Sequence, residues 1–180
     1  MTTTTPVTFR DLDASESNRL LTRNHVGRIA YSFRDRVDIE PISYVFADGR
    51  IYIRTAPGSK LTALAHAPWV AFEVDEVNGP LDWRSVVVHG TVYVLEDHGS
   101  RISRESYQRA VDRLRTPMPH TLDPLDPTPE RAVVLQIHPD TIRGREARPA
   151  DRDRTSTEHA SGARPADAAP RDIPPSASSR

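Results

Sequence analysis

Ile51-Tyr52-Ile53-Arg54-Thr55, then Ala56-Pro57-Gly58, then Ser59-Lys60-Leu61-Thr62-Ala63-Leu64-Ala65-His66-Ala67 is the stretch from which the rest of this chain can be read. Ile51 and Ile53 alternate with Tyr52 and Arg54, the period of a strand. Pro57-Gly58 breaks it, and a compact helical pattern begins at Ser59. Lys60, at the start of that helix, is the only lysine; every other basic residue is arginine. In a chain that uses Arg for generic positive charge, a lone Lys points to a need for a compact ammonium rather than a planar fork. The first N–H groups of a helix lack intrahelical partners, so strand, Gly-Ser turn and helix start together form a plausible anion cradle. An ordinary connector carrying a solvated Lys fits this stretch equally well.

Upstream, Ala47-Asp48-Gly49-Arg50 is a hairpin turn. The strand before it changes phase: Val37 and Ile39 are odd-numbered, whereas Ile42, Tyr44 and Phe46 are even. A strict period of two cannot absorb that, so a bulge or bend is expected near Pro41. Arg28 to Phe33 alternates as a half-buried strand, joined to the next by Arg34-Asp35. Phe9 to Asn24 carries a helix signal, with Asp13 as cap and Glu16 three residues on.

Downstream, Pro68 stops the helix and Trp69 to Val74 is a strand. Asp75 to Leu81 is expected to be a loop, and Trp83 to Glu96 a long strand curled at Gly90. Ser100 to Arg115 has helical spacing at Tyr107, Ala110, Val111 and Leu114. Thr116 to Pro129 is a proline-rich connector, Ala132 to His138 a last strand, and Thr141 to Gly144 a brief extension. Six strands on mostly hairpin-scale connections fit an antiparallel barrel better than a parallel sheet. From Arg145 to Arg180 the only large apolar residue is Ile173. Such a segment cannot offset its chain entropy, so residues 8–144 are expected to form the domain and 145–180 a disordered tail.

A net charge of −1 supplies no global field for nucleic acid or an anionic membrane. The absence of cysteine excludes disulfides, thiol nucleophiles and Cys-based metal sites. No signal peptide and no membrane-spanning apolar run is evident, so a cytoplasmic protein is expected. GxGxxG, HExxH and GxSxG are absent. Gly58-Ser59-Lys60 fails as a P-loop, since its first Gly is missing and Leu61 follows the Lys. The histidines show no metal-ligand spacing; His89, in mid-strand beside Gly90, reads as a hydrogen-bonded structural residue before a ligand. A small barrel with an anion cradle and no catalytic dyad fits a protein whose chemistry belongs to a phosphate-bearing cofactor.

Val26-Gly27-Arg28-Ile29-Ala30, Pro41-Ile42-Ser43-Tyr44, Gly49 to Thr55, Gly58-Ser59-Lys60, Val70 to Asp75, and Trp83 to Gly90 form a series in order along the chain. Together they resemble the pyridoxamine 5′-phosphate oxidase-like family, in its small flavin-binding branch that includes nitroimidazole-resistance-type proteins. The resemblance implies a six-stranded split barrel, a homodimer, and FMN in grooves along the subunit interface. It places the FMN phosphate on Thr55, Ser59 and Lys60, with Arg54 nearby. It lays Pro41, Ile42 and Ser43 against the isoalloxazine ring, and brings Trp83, Arg84 and Ser85 to the cofactor from the other subunit. The activity implied is a flavin-dependent oxidoreductase acting on a small electrophile of nitro-compound or quinone type. Relatives on this barrel also use a deazaflavin coenzyme or bind haem, as enzymes or as non-catalytic modules. No C-terminal arginine-rich substrate segment is found, which argues against vitamin B6 oxidation.

Overall fold

The structure, a computed structural model, describes residues 6–150. In chain order it contains β1 (Val7–Leu12), α1 (Ala14–Arg23), β2 (Val26–Phe33), β3 (Arg36–Ala47), β4 (Arg50–Thr55) and α2 (Ser59–His66). There follow β5 (Trp69–Gly79), β6 (Asp82–Leu95), α3 (Arg101–Arg115) and β7 (Val133–Pro149). The order β7-β4-β3-β2-β5-β6 closes into a ring because β7 also pairs with β6. The expected mainly-β antiparallel split barrel is therefore present, with six strands in the ring. A seventh, β1, pairs with Gly144–Pro149 of β7, beyond the residues that pair with β4.

Each departure from the sequence expectation has a local cause. Asp13 does cap α1: its carboxylate accepts from Glu16 N at 2.7 Å, and Glu16 accepts from Asp13 N at 2.9 Å. A cap residue stands outside its helix, so Phe9–Leu12, expected to be helical, are free to be strand. Arg145 to Pro149, assigned to the tail, instead complete β7. Their anchor is Glu146, buried and bonded to Arg10 at 2.7 Å and Arg84 at 3.0 Å. The tail assigned beyond Ala150 lies outside the described residues. Asp75 to Gly79 continue β5 rather than looping, helped by the opposed charges of Glu76 and Arg84 across the ladder.

The expected bulge at Pro41 is also absent. The β2–β3 register runs without a shift from Val26↔Ser43 to Phe33↔Arg36. Val37 and Ile39 lie on the outer face, 77% and 63% exposed, so the odd-numbered apolar pair never joins the core. The curl at Gly90 is present, as a register shift between β6 and β7. A Cβ there would stand 2.2 Å from the His138 carbonyl oxygen, so only glycine permits that approach. Asp48 and Gly49 both take positive φ (54° and 69°), as a tight hairpin turn needs.

Strand β4 separates two apolar clusters. Ile51 and Ile53 enter the barrel interior with Leu20, Ile29, Tyr44 and Phe72. Tyr52 faces outward, where Val45 and Val134 meet Ala110, Val111 and Leu114 of α3. Fully burying each such side chain contributes about 1.5–3 kcal/mol. This two-faced strand holds Thr55 and the start of α2 fixed at one end of the barrel.

Candidate functional site

The start of α2 has the properties of an anion cradle. Its cap residue, Gly58, is extended and offers no side-chain cap; of the first N–H groups, that of Leu61 donates to the Gly58 carbonyl at 3.1 Å. Ser59 opens the helix at the surface, while Lys60 is buried, with Nζ 3.4 Å from Thr55 Oγ1. Thr55, Ser59 and Lys60 are thus brought together as expected. The nearest charge to the ammonium is Glu40, with Oε2 at 2.7 Å. Glu40 also accepts a hydrogen bond from the Tyr31 hydroxyl.

Sequence reasoning missed Glu40 and Tyr31. The signal was parity: Glu40 shares the phase of Ile42 and Tyr44 and therefore points to the same side. Burial alone raises the Glu40 carboxyl, but the bonds from Lys60 and Tyr31 outweigh it and hold the carboxyl below its ordinary range. Burial, then the bond to Glu40, raises the Tyr31 hydroxyl. Lys60 and Glu40 thus form a charged pair at the start of α2, with Thr55 Oγ1 beside the ammonium.

Arg54, placed near the phosphate by resemblance, has other work. Its Nε donates to the Arg131 carbonyl at 3.0 Å and Nη2 to the Thr128 carbonyl at 2.6 Å, while Nη1 lies 2.6 Å from Asp126 Oδ2. Both Arg54 and Asp126 are buried. The guanidinium holds the Asp126 carboxyl well below the carboxylate range, with bonds from the Thr128 and Leu122 N–H groups adding to it. Arg54 therefore fastens the proline-rich connector against the end of β4, beside Thr55.

Pro41, Ile42 and Ser43 occupy an edge. β3 pairs with β2 over Arg36–Ser43 but with β4 only over Tyr44–Ala47. On the β4 side, Pro41–Ser43 have no strand partner among the described residues, and backbone groups there are open to a ligand. The Ile42 side chain is core, so only its backbone can serve; Pro41 is exposed and Ser43 half-buried. The free groups arise where β3 and β4 diverge, not from a bulge.

Trp83, Arg84 and Ser85 are not brought to Lys60 within one chain. Trp83 meets the Phe9 ring edge-on, Arg84 bonds Glu146, and Ser85 donates to Glu73 at 2.9 Å. Glu73 in turn pairs with Arg28, opposite Pro41 in the register. His89 is exposed, and no cluster of metal-ligating side chains occurs among the described residues. No helix there is long and apolar enough to cross a membrane.

The fold is a small antiparallel split barrel with the chain's one lysine buried at a helix start, beside Thr55 and Glu40. The family described as pyridoxamine 5′-phosphate oxidase matches residues 13–146, and the chain belongs to it. A solved FAD-binding protein from Mesorhizobium loti is 27% identical, with a TM-score of 0.61 over 76% of this chain and 96% of that one. A Bacteroides thetaiotaomicron structure, provisionally described as a 5-nitroimidazole antibiotic resistance protein, shares the fold at 16% identity. It has a TM-score of 0.59 over 79% and 89% of the two chains. An uncharacterized Rhizobium meliloti protein is 28% identical over 81 residues, 45% of this chain; the match spans about half (54%) of that relative's length.

Proposed function

We propose that this protein is a flavin-dependent oxidoreductase that holds FMN by its phosphate at Thr55, Ser59 and Lys60. The observation that carries this is the chain's one lysine, buried at an uncapped helix start beside the unpaired edge of β3. When bound, the flavin ring supplies hydride and electron transfer, and the chain supplies position and electrostatics. The Lys60 ammonium gives up Glu40 for the phosphate, Thr55 Oγ1 fixes the direction of Nζ, and the first N–H groups of α2 complete the cradle. Backbone groups of Pro41–Ser43 orient the ring. Arg54 positions Thr55 by clamping the connector, without binding the phosphate itself. The fitting substrate is a small electrophile, of nitro-compound or quinone type, that accepts electrons directly.

The second element of the reading is a homodimer. Register and alternation put Val37, Ile39, Ala30, Ala71 and Trp69 on one outer face of β3, β2 and β5, with Trp69 64% exposed. A two-fold contact over this face would cover the apolar stripe. FAD in place of FMN is favoured by one fact, the FAD-binding relative at 27% identity. Titrating the purified protein with FMN, FAD and the deazaflavin coenzyme in parallel, while recording its visible spectrum, tests the proposal. Saturable FMN or FAD uptake with a flavin band supports a flavoprotein and names the flavin. A Soret band, or uptake of deazaflavin alone, overturns it.

A further inference from the structure

A cavity of about 560 Å³ lies away from Lys60, between α3 and the outer surface of β4, β6 and β7. Its origin is visible in α3. The C-terminal half of that helix is buried through Ala110, Val111 and Leu114, whereas Arg101–Gln108 are exposed or half-buried, and Ile102 is 74% exposed. The helix is anchored at one end and stands off the sheet at the other, leaving a wedge. Because Ile51 and Ile53 face inward from β4, this wedge and the barrel core are on opposite sides of the strand.

The chemistry of its wall is lopsided. Arg50 and Arg109 both line it, and neither has a carboxylate partner among the described residues. Arg50 instead donates Nε to His138 Nε2 at 3.3 Å, and the Gln136 amide lies 2.8 Å from that same nitrogen. A guanidinium only donates, so the Arg50 contact belongs to the neutral imidazole protonated on Nδ1. Burial and the neighbouring Arg50 both push His138 toward that neutral form. Of the two acids in the wall, Asp48 is forked by Arg113 at 3.0 and 3.2 Å. Glu96 lies at the rim, its side chain more than half exposed beside His98, where water screens it. Tyr93 and His138 supply an aromatic surface, ring centroids 4.7 Å apart and tilted by 54°.

We propose that this cavity is a second small-molecule site, for an aromatic carboxylate. Arg50 and Arg109 take the carboxylate, and Tyr93 and His138 take the ring. Guanidinium pairs suit a planar carboxylate because their donors match its two oxygens. Exposed apolar surface at Tyr93, Val94 and Ile102 gives a ring something to cover, which a bare anion would not. The inference is independent of the flavin reading, since none of these residues belongs to the cradle.

The test is calorimetric titration of the full-length protein with benzoate, with benzyl alcohol and acetate as ring-only and charge-only comparisons. Saturable benzoate binding at least about tenfold tighter than either comparison is expected. Arg109 is exposed and has no partner to lose, so R109Q should fold normally and weaken benzoate about tenfold. Ser106→Trp, which fills the wedge, should abolish binding with an unchanged melting temperature, and Lys60→Ala should leave it intact. Absence of benzoate binding up to about 10 mM, equal binding of benzyl alcohol, or loss in Lys60→Ala but not in R109Q overturns the proposal.

Discussion

Replacing Lys60 by Met and, separately, Glu40 by Gln tests the cradle with opposite signs. Met matches the length and buried character of the Lys stem, so the fold is preserved while the charge is removed. A charge-assisted bond from a buried ammonium to a phosphate contributes about 1.5–3 kcal/mol. Against this stands the Lys60–Glu40 pair of the ligand-free chain at 2.7 Å. The Glu40 side chain is 42% exposed, so that pair contributes only about 0–1 kcal/mol. Lys60→Met should therefore weaken FMN by roughly 10–100-fold, at about 1.4 kcal/mol per factor of ten. Glu40→Gln removes only the competitor, and should tighten FMN by up to about fivefold. Quenching of flavin fluorescence, titrated at two ionic strengths, reads both, and the Lys60 effect should shrink as salt rises. FMN binding to Lys60→Met within twofold of the parent, or a weakened Glu40→Gln, would refute the assignment of the phosphate to Lys60.

Three further outcomes are expected. Ile39→Asp places a charge on the outer apolar face and should raise the dimer dissociation constant about tenfold or more by analytical ultracentrifugation; an unchanged association state would move the interface elsewhere. Gly90→Ala drives a Cβ against a backbone oxygen of β7 and should cost about 1–3 kcal/mol, read as a melting temperature several degrees lower; an unaltered transition would mean that β6 does not curl there. Asp126 has a folded-state pKa below its ordinary 3.8, so its contribution is complete above about pH 4 and is lost as pH falls toward the folded value. Asp126→Asn should destabilise the protein at neutral pH and flatten the acid limb of its stability profile; parallel limbs for the two proteins would contradict a buried Arg54–Asp126 pair.

Much of this architecture was legible because its signals are local. The Asp48-Gly49 turn, the Asp13–Glu16 capping box and the break at Pro68 each act within a few residues, and the ring of six strands follows from counting them. The grouping of Thr55, Ser59 and Lys60 was legible for the same reason, since they fall within six consecutive positions. What was hidden depends on partners distant in sequence. Arg54 could be taken for a phosphate ligand because Asp126, Thr128 and Arg131 reach it only after β5, β6 and α3 intervene. The end of β7 was hidden in the same way: Arg145–Pro149 look unfoldable by composition, and become strand because β1 pairs with all of them and β6 with Arg145, Glu146 and Ala147.

The most consequential misreading was one of parity, and it links two features of the proposed function. The change of apolar phase from Val37 and Ile39 to Ile42 and Tyr44 led to the expected bulge or bend near Pro41. In the unbroken strand the change is one of face instead, because successive residues alternate between the two sides. Glu40 then comes to Lys60, and Val37 and Ile39 come to the outside, on neighbouring positions of one strand. The counter-ion of the cradle and the apolar outer face are therefore mechanically adjacent, with Pro41–Ser43 continuing the same strand. A second copy seated on Val37 and Ile39 would bear directly on the segment that carries Glu40, so dimerisation and flavin affinity should be coupled. Ile39→Asp should then weaken FMN as well as the dimer, with the loss shrinking as protein concentration restores association. An FMN affinity independent of association state would separate the two features and confine the site to a single chain.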